Sequence, residues 1–260
     1  MLEKRTSGIL LHLTSLPGNH GIGDLGPGAY RFIDFLAASG QSCWQFLPTG
    51  PTSTAFDNSP YMCRSVFAGN PLLINLDMLV NDRYLSVKDL KDGSIFSEYE
   101  VEYDKVTMFK KAALNKAFSN FIKTDHTSDF DLFCKNHKNW LDDYALFMSY
   151  RKLFDCKPWY QWPDYAARRN LEALNQFSAQ HADKLLYYKF VQFIFFSQWQ
   201  KMYEYARAKN IYLIGDIPIY VALDSADVWS NQELFKIDPQ TLEPSQVAGV
   251  PPDYFSETGQ

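Results

Sequence analysis

Gly8-Ile9-Leu10-Leu11-His12-Leu13, closed by the turn Pro17-Gly18, is the stretch from which the fold is read. A continuous apolar run of six residues, ended by turn formers, predicts a strand buried on both faces. After a glycine-rich loop, Pro27 opens a helical pattern with Tyr30, Ile33, Phe35, Leu36 and Ala37 as its apolar face and Gly40 as its stop. Cys43-Trp44-Gln45-Phe46-Leu47 follows, short and apolar, before Pro48 and Gly50. Strand, helix and strand in so few residues make the βαβ unit of a parallel sheet.

Working outward, residues 51–80 form a long turn-rich loop holding Ser59-Pro60-Tyr61 and Ala68-Gly69-Asn70-Pro71. Residues 83–98 read as polar and irregular. Val106, Phe109, Ala113, Ala117 and Phe121 stand three and four apart, one stripe of a helix. Phe130, Phe133, Leu141, Tyr144 and Phe147 predict one or two more helices, and Lys157–Pro163 breaks the pattern. An interrupted helical pattern runs from about 170 to Asn210, then Ile211-Tyr212-Leu213-Ile214 reads as a third buried strand before Gly215-Asp216-Ile217-Pro218. The remainder reads as loop. The organisation expected is thus 1–80 for two strand units and a long loop, 81–180 for a mainly helical insertion, and 181–260 for a third strand unit and a terminal loop. Three strands and an insertion fit the opening of a (β/α)8 barrel or of a doubly wound sheet. A barrel takes about 250 residues for its eight units alone, so on the barrel reading this is the N-terminal part of a longer protein.

Composition narrows the function. The formal net charge is −5, with 25 Lys plus Arg against 30 Asp plus Glu and no basic run, which argues against a nucleic-acid partner. The longest apolar run, Phe190–Phe196, is broken by Gln192 and is far short of a membrane span. Residues 8–13 carry no cleavage site of a signal peptide. Four scattered cysteines without a CxxC pair point to free thiols in a reducing cytoplasm. The histidines lack metal-ligand spacing, so no metal site is expected. With 20 Phe, 16 Tyr and 6 Trp, most rings are expected in the core, with some left to line a cleft.

Gly21-Ile22-Gly23-Asp24-Leu25-Gly26 matches GxGxxG, but Pro17–His20 separates it from the strand and the helix starts only near Pro27. A dinucleotide turn needs the helix to begin within the glycines, so the reading is a loop over a strand end. His12 reads as a satisfied core histidine. Asp216, directly after the third strand, is either an acid at the ligand-bearing carboxyl end of the sheet or a turn former. Tyr61 either stacks and hydrogen-bonds a ligand on that same face or plugs its loop against the core. Pro251–Ser256 sets aromatic and acidic groups side by side, which suits a carbohydrate: apolar ring faces for aromatics, hydroxyls for carboxylates.

Gly8–Gly18, Gly21–Gly26, Ser59–Leu73, Trp159–Pro163, Gly215–Val221 and Val247–Gln260 together resemble, in order, the N-terminal half of the 4-alpha-glucanotransferases, also called amylomaltases or disproportionating enzymes. The resemblance implies a (β/α)8 TIM-type barrel with a large helical insertion, of which about three strands are present. It implies transfer of α-1,4-glucan segments between maltodextrins by a retaining double displacement, without an organic cofactor. The nucleophile and the acid/base would then lie beyond residue 260. On the matching positions, Asp216 resembles a supporting acid of the catalytic site. Ser59 and Tyr61 resemble donor-side sugar contacts. Asp253, Tyr254, Phe255, Ser256 and Gln260 resemble a flap over the acceptor side. Two stretches depart from the family pattern: Met62-Cys63-Arg64 stands where a Gln-Ser pair is usual, and Ser53–Asp57 where a shorter Gly-Tyr-Gly turn is common. The expected partner is a maltooligosaccharide or α-1,4-glucan. The alternatives are a related α-glucan hydrolase and a non-catalytic glucan-binding module.

Overall fold

A computed structural model describes residues 5–91, 95–123, 128–247, 249, 251, 252, 254 and 257. Three strands, β1 (Gly8–Leu10), β2 (Cys43–Gln45) and β3 (Tyr212–Ile214), form one parallel sheet in the order β1-β2-β3. The register aligns Ile9, Trp44 and Leu213 in one row and Leu10, Gln45 and Ile214 in the next. Sequential strands lying side by side in chain order fit the barrel and not the reversed strand order of a doubly wound sheet.

Nine helices accompany the sheet among the described residues: α1 (Pro27–Ala38), α2 (Leu76–Asn81), α3 (Tyr103–Phe121), α4 (Ser128–Asn136), α5 (Lys138–Leu153), α6 (Asp164–Ala167), α7 (Leu171–Gln180), α8 (Ala182–Ala208) and α9 (Ala226–Ser230). Pro27 sits in the first turn of α1 as expected from its fixed φ. The stripe from Val106 to Phe121 is buried along α3. Trp44 is fully buried, its ring 5.0 Å from Phe32 of α1 and 5.7 Å from Phe46, which in turn meets Trp199 of α8 at 5.6 Å. One core therefore joins sheet, α1, α3 and α8. A second gathers Phe147 and Tyr150 of α5, Trp159, Trp162, Phe177 of α7 and Trp229 of α9. Tyr150 stacks on Phe177 at 4.0 Å.

Several expectations need correction. The first strand is three residues long, and a 3-10 turn at Leu13–Ser15 replaces its expected end. Nor are β1 and β3 buried on both faces: Leu10 is 58% exposed, and Ile214 is exposed as well. The helices cover one face, and the Leu10–Gln45–Ile214 row lies on the other, which in a closed barrel is the interior. The interrupted pattern over 170–210 is, as expected, two helices, parted at His181, whereas the 215–260 stretch carries α9 where only loop was expected. His12 is half-buried, and its Nδ1 has no hydrogen-bond partner among the described residues; burial lowers its pKa.

Candidate active site

Each strand ends toward one side of the sheet, and the loops after β2 and β3 meet there. The loop after β2 is closed at its base by Asn70 N–H donating to the Thr49 carbonyl at 2.8 Å. Gln192 of α8, the residue that breaks the apolar run Phe190–Phe196, is fully buried. Its amide receives the Gly69 N–H at 2.7 Å and donates to the Gly69 carbonyl at 3.0 Å, as a neighbouring strand would. Gly69 must be glycine here: a Cβ would lie 2.0 Å from the Phe195 ring. Gln198, two turns on, grips the Asn75 peptide in the same way at 2.8 and 2.9 Å.

At the top of this loop the Ser59 carbonyl accepts the Met62 N–H, a turn that presents Tyr61. Tyr61 is 40% exposed, so it does not plug the core. Its hydroxyl donates to Asp216 Oδ2 at 2.7 Å, and Asp216 Oδ1 accepts the Ile217 N–H at 2.8 Å. The hydrogen bond to the Asp216 carboxylate raises the Tyr61 pKa, so the phenol is protonated and donating at neutral pH. The structure therefore brings Tyr61 and Asp216 together at the carboxyl ends of β2 and β3, with half-buried Ser59 in the same loop.

Asp216 also borders a cleft of about 520 Å³ whose walls include Gly50, Phe67, Trp199 and Pro218. Phe67 is 54% exposed and stacks on Trp140 of α5 at 6.4 Å. The exposed Phe67 ring and the half-buried Trp199, in one cleft with the Asp216 carboxylate, can hold a sugar by its apolar face and its hydroxyls. Of the flap residues, Tyr254 is described and is 97% exposed. Asp253, Phe255, Ser256 and Gln260 lie outside the described residues.

The glycine-rich loop is occupied by its own residues. The Asp24 carboxylate accepts the Gly26 N–H at the start of α1, and it pairs with the fully buried Lys110 of α3 at 3.2 Å. An anion already sits where a pyrophosphate would have to bind. Sequence reading assigned no role to Asp24, Lys110, Arg64 or Asp224, all buried. The one signal available was a lysine inside the apolar stripe of α3. Among the described residues no group of three or more His, Cys, Asp and Glu could hold a metal ion, and no helix is long and apolar enough to cross a membrane.

The family model for 4-alpha-glucanotransferase matches residues 11–260. The chain belongs to the 4-alpha-glucanotransferase family. The 4-alpha-glucanotransferase of Synechocystis is 48% identical over the whole chain, which spans 52% of that relative. That of Aquifex aeolicus is 47% identical over 98% of the chain and 51% of the relative. The solved amylomaltase of Streptococcus agalactiae in complex with acarbose superposes with a TM-score of 0.93 at 40% identity, over 99% of this chain and 52% of that one. The family's barrel thus accounts for the β1-β2-β3 order and for the open sheet face. The chain spans about half the length of the relatives it matches.

Proposed function

We propose that residues 1–260 form the sugar-binding framework of a 4-alpha-glucanotransferase that moves α-1,4-glucan segments between maltodextrins with retention of configuration. The observation that carries this reading is the Tyr61–Asp216 hydrogen bond at the carboxyl ends of neighbouring parallel strands, beside an aromatic cleft. Retaining transfer uses a carboxylate nucleophile and a carboxylic acid about 5–5.5 Å apart. In this reading Asp216 is the supporting acid: its charge stabilises the developing oxocarbenium ion and its oxygens orient sugar hydroxyls. Ser59 and Tyr61 hold the donor glucan. Asp253, Tyr254, Phe255, Ser256 and Gln260 close over the acceptor and favour a sugar hydroxyl over water. The substrate class is a maltooligosaccharide, in keeping with the acarbose bound by the Streptococcus agalactiae relative. No step calls on a metal or organic cofactor.

The test is binding of maltoheptaose, followed by tryptophan fluorescence and by chemical-shift changes at Tyr61, with cellohexaose as the β-linked control. Selective binding of the α-linked sugar is expected, weakened by Asp216→Asn and by Tyr61→Ala. Equal response to both sugars, or none, refutes the reading.

A further inference from the structure

Tyr61 and Asp216 stand on two different loops, and the hydrogen bond between them is exposed. Such a bond does not by itself hold two loops in register, because water offers both partners equivalent bonds. Both loops, however, run within a few residues into one buried polar cluster. Arg64, three positions after Tyr61, and Asp224, eight after Asp216, are 5% and 6% exposed. Arg64 Nη1 donates to Asp224 Oδ2 at 2.5 Å and to the Asp224 carbonyl at 3.0 Å, while Nη2 donates to Ser53 Oγ at 2.7 Å. The Arg64 carbonyl accepts the Ala226 N–H at 2.9 Å. The next two residues continue the seam: Ser65 Oγ and the Val66 N–H donate to the two oxygens of Asp227 at 2.9 and 2.8 Å.

A third segment closes the cluster. Arg151 of α5 donates to the same Asp224 Oδ2 at 2.5 Å, the Trp159 N–H to Oδ1 at 3.3 Å, and the Trp159 indole to the Leu223 carbonyl at 2.7 Å. Asp224 is thereby fixed from the helical side, and Arg64 is the arm that reaches from it to the loop after β2. Because Ser53 and Arg64 flank the turn that carries Ser59 and Tyr61, the fork also ties that turn at both ends.

We propose that Arg64 is a positioning residue: its guanidinium, forked between Asp224 and Ser53, sets the place at which the Tyr61 hydroxyl meets Asp216. A lysine cannot do this, since a point charge lacks the planar fork that spans two acceptors. That the pair faces a glucan rests on the proposed function; that Arg64 sets the pair's geometry does not.

The test is the NMR spectrum, at neutral pH, of the chain labelled with 13Cζ-tyrosine, Tyr61 being assigned by its loss in Tyr61→Phe. Donation to the Asp216 carboxylate at 2.7 Å should displace the Tyr61 resonance from that of a solvated phenol, and Asp216→Ala should abolish the displacement. Arg64→Lys should lose most of the displacement while the far-UV circular dichroism stays that of the wild type. Ser53→Ala, a milder cut of one arm, should lose part of it. A purely structural Arg64 would lower the melting temperature and leave the displacement intact. That result in Arg64→Lys, or in Ser53→Ala should Arg64→Lys not fold, overturns the proposal. A wild type without any displacement overturns the Tyr61–Asp216 pair, and with it the site reading as well.

Discussion

Replacing Lys110 by methionine isolates one buried ion pair and allows its contribution to be worked from the structure. Lys110 is fully buried, and its ammonium donates to Asp24 Oδ2 at 3.2 Å and to the carbonyls of Leu72 and Ile74 at 2.7 Å each. Methionine keeps the apolar stem inside the α3 stripe but leaves the Asp24 charge buried and two carbonyls without their donor. Removing one partner of a buried pair costs about 3–5 kcal/mol. Asp24 retains the Gly26 N–H and the Asn75 amide, both at 3.0 Å, so the lower end applies, about 3 kcal/mol. For a chain of this size that is a fall of roughly 6–12 °C in melting temperature. The double variant Lys110→Met with Asp24→Asn removes the stranded charge and should melt well above the single one. The pH dependence adds a second check. Burial pulls the Lys110 pKa below the ordinary lysine range, with Asp24 opposing. The unfolded chain then binds more protons than the folded one between the lowered value and about 10.4, so Lys110 makes the wild type gain stability as pH rises through that window. Lys110→Met lacks this gain. Calorimetric scans across pH read both effects. A Lys110→Met protein melting within about 2 °C of the wild type, or a double variant no better than the single, would refute the reasoning.

Tyr150 is fully buried and its hydroxyl has no partner among the described residues, so Tyr150→Phe should raise the melting temperature by roughly 2–4 °C, because an unpaired buried hydroxyl costs about 1 kcal/mol or more. Burial raises the pKa of Tyr144 and Tyr187 and lifts Tyr150 and Tyr188 to about 12. The unfolded chain loses those protons first, so stability present below pH ~10 should fall as pH climbs further, as alkaline thermal melts would show. The open sheet face and the loop beyond it expose Leu10, Ile214, Ile217 and Ile219. The chain should bind an apolar fluorescent dye, and Ile219→Lys should reduce that binding without lowering the melting temperature. Burial pushes the Cys63 thiol up to about 11, so a thiol reagent at neutral pH should spare Cys63 and label the exposed Cys156.

How far the sequence could be read follows from which forces leave a periodic trace. The apolar stripe Val106–Phe121, Pro27 opening α1 and the βαβ spacing are local signals, and each element lies where its pattern placed it. Strand ends were misjudged because an apolar run reports burial and not hydrogen bonding: Leu13 is fully buried although it lies in a 3-10 turn and outside β1. Asp216 and Tyr61 were legible because each directly follows strand or turn punctuation. Their pairing was not, since it spans 155 positions.

The polar groups that hold the site were illegible for a related reason. Gln192 looked like an interruption of an apolar run and is in fact the partner of a peptide 123 residues away. Asp24 stands inside a glycine-rich loop and is the counter-ion of Lys110, 86 residues on. Arg64 and Asp224, 160 residues apart, carry no mark of each other in either neighbourhood. Burying such groups unpaired would be costly, so each partner is required by the fold even though none is announced by its surroundings. These long-range pairs all end on the segments after β1 and β2, and around Tyr61, from Thr52 to Phe67, Cys63 is the one buried apolar side chain available to fix the backbone. Directional bonds fix it instead: they tolerate little displacement, and the Tyr61–Asp216 pair needs that constraint where apolar packing alone would let the loops slide.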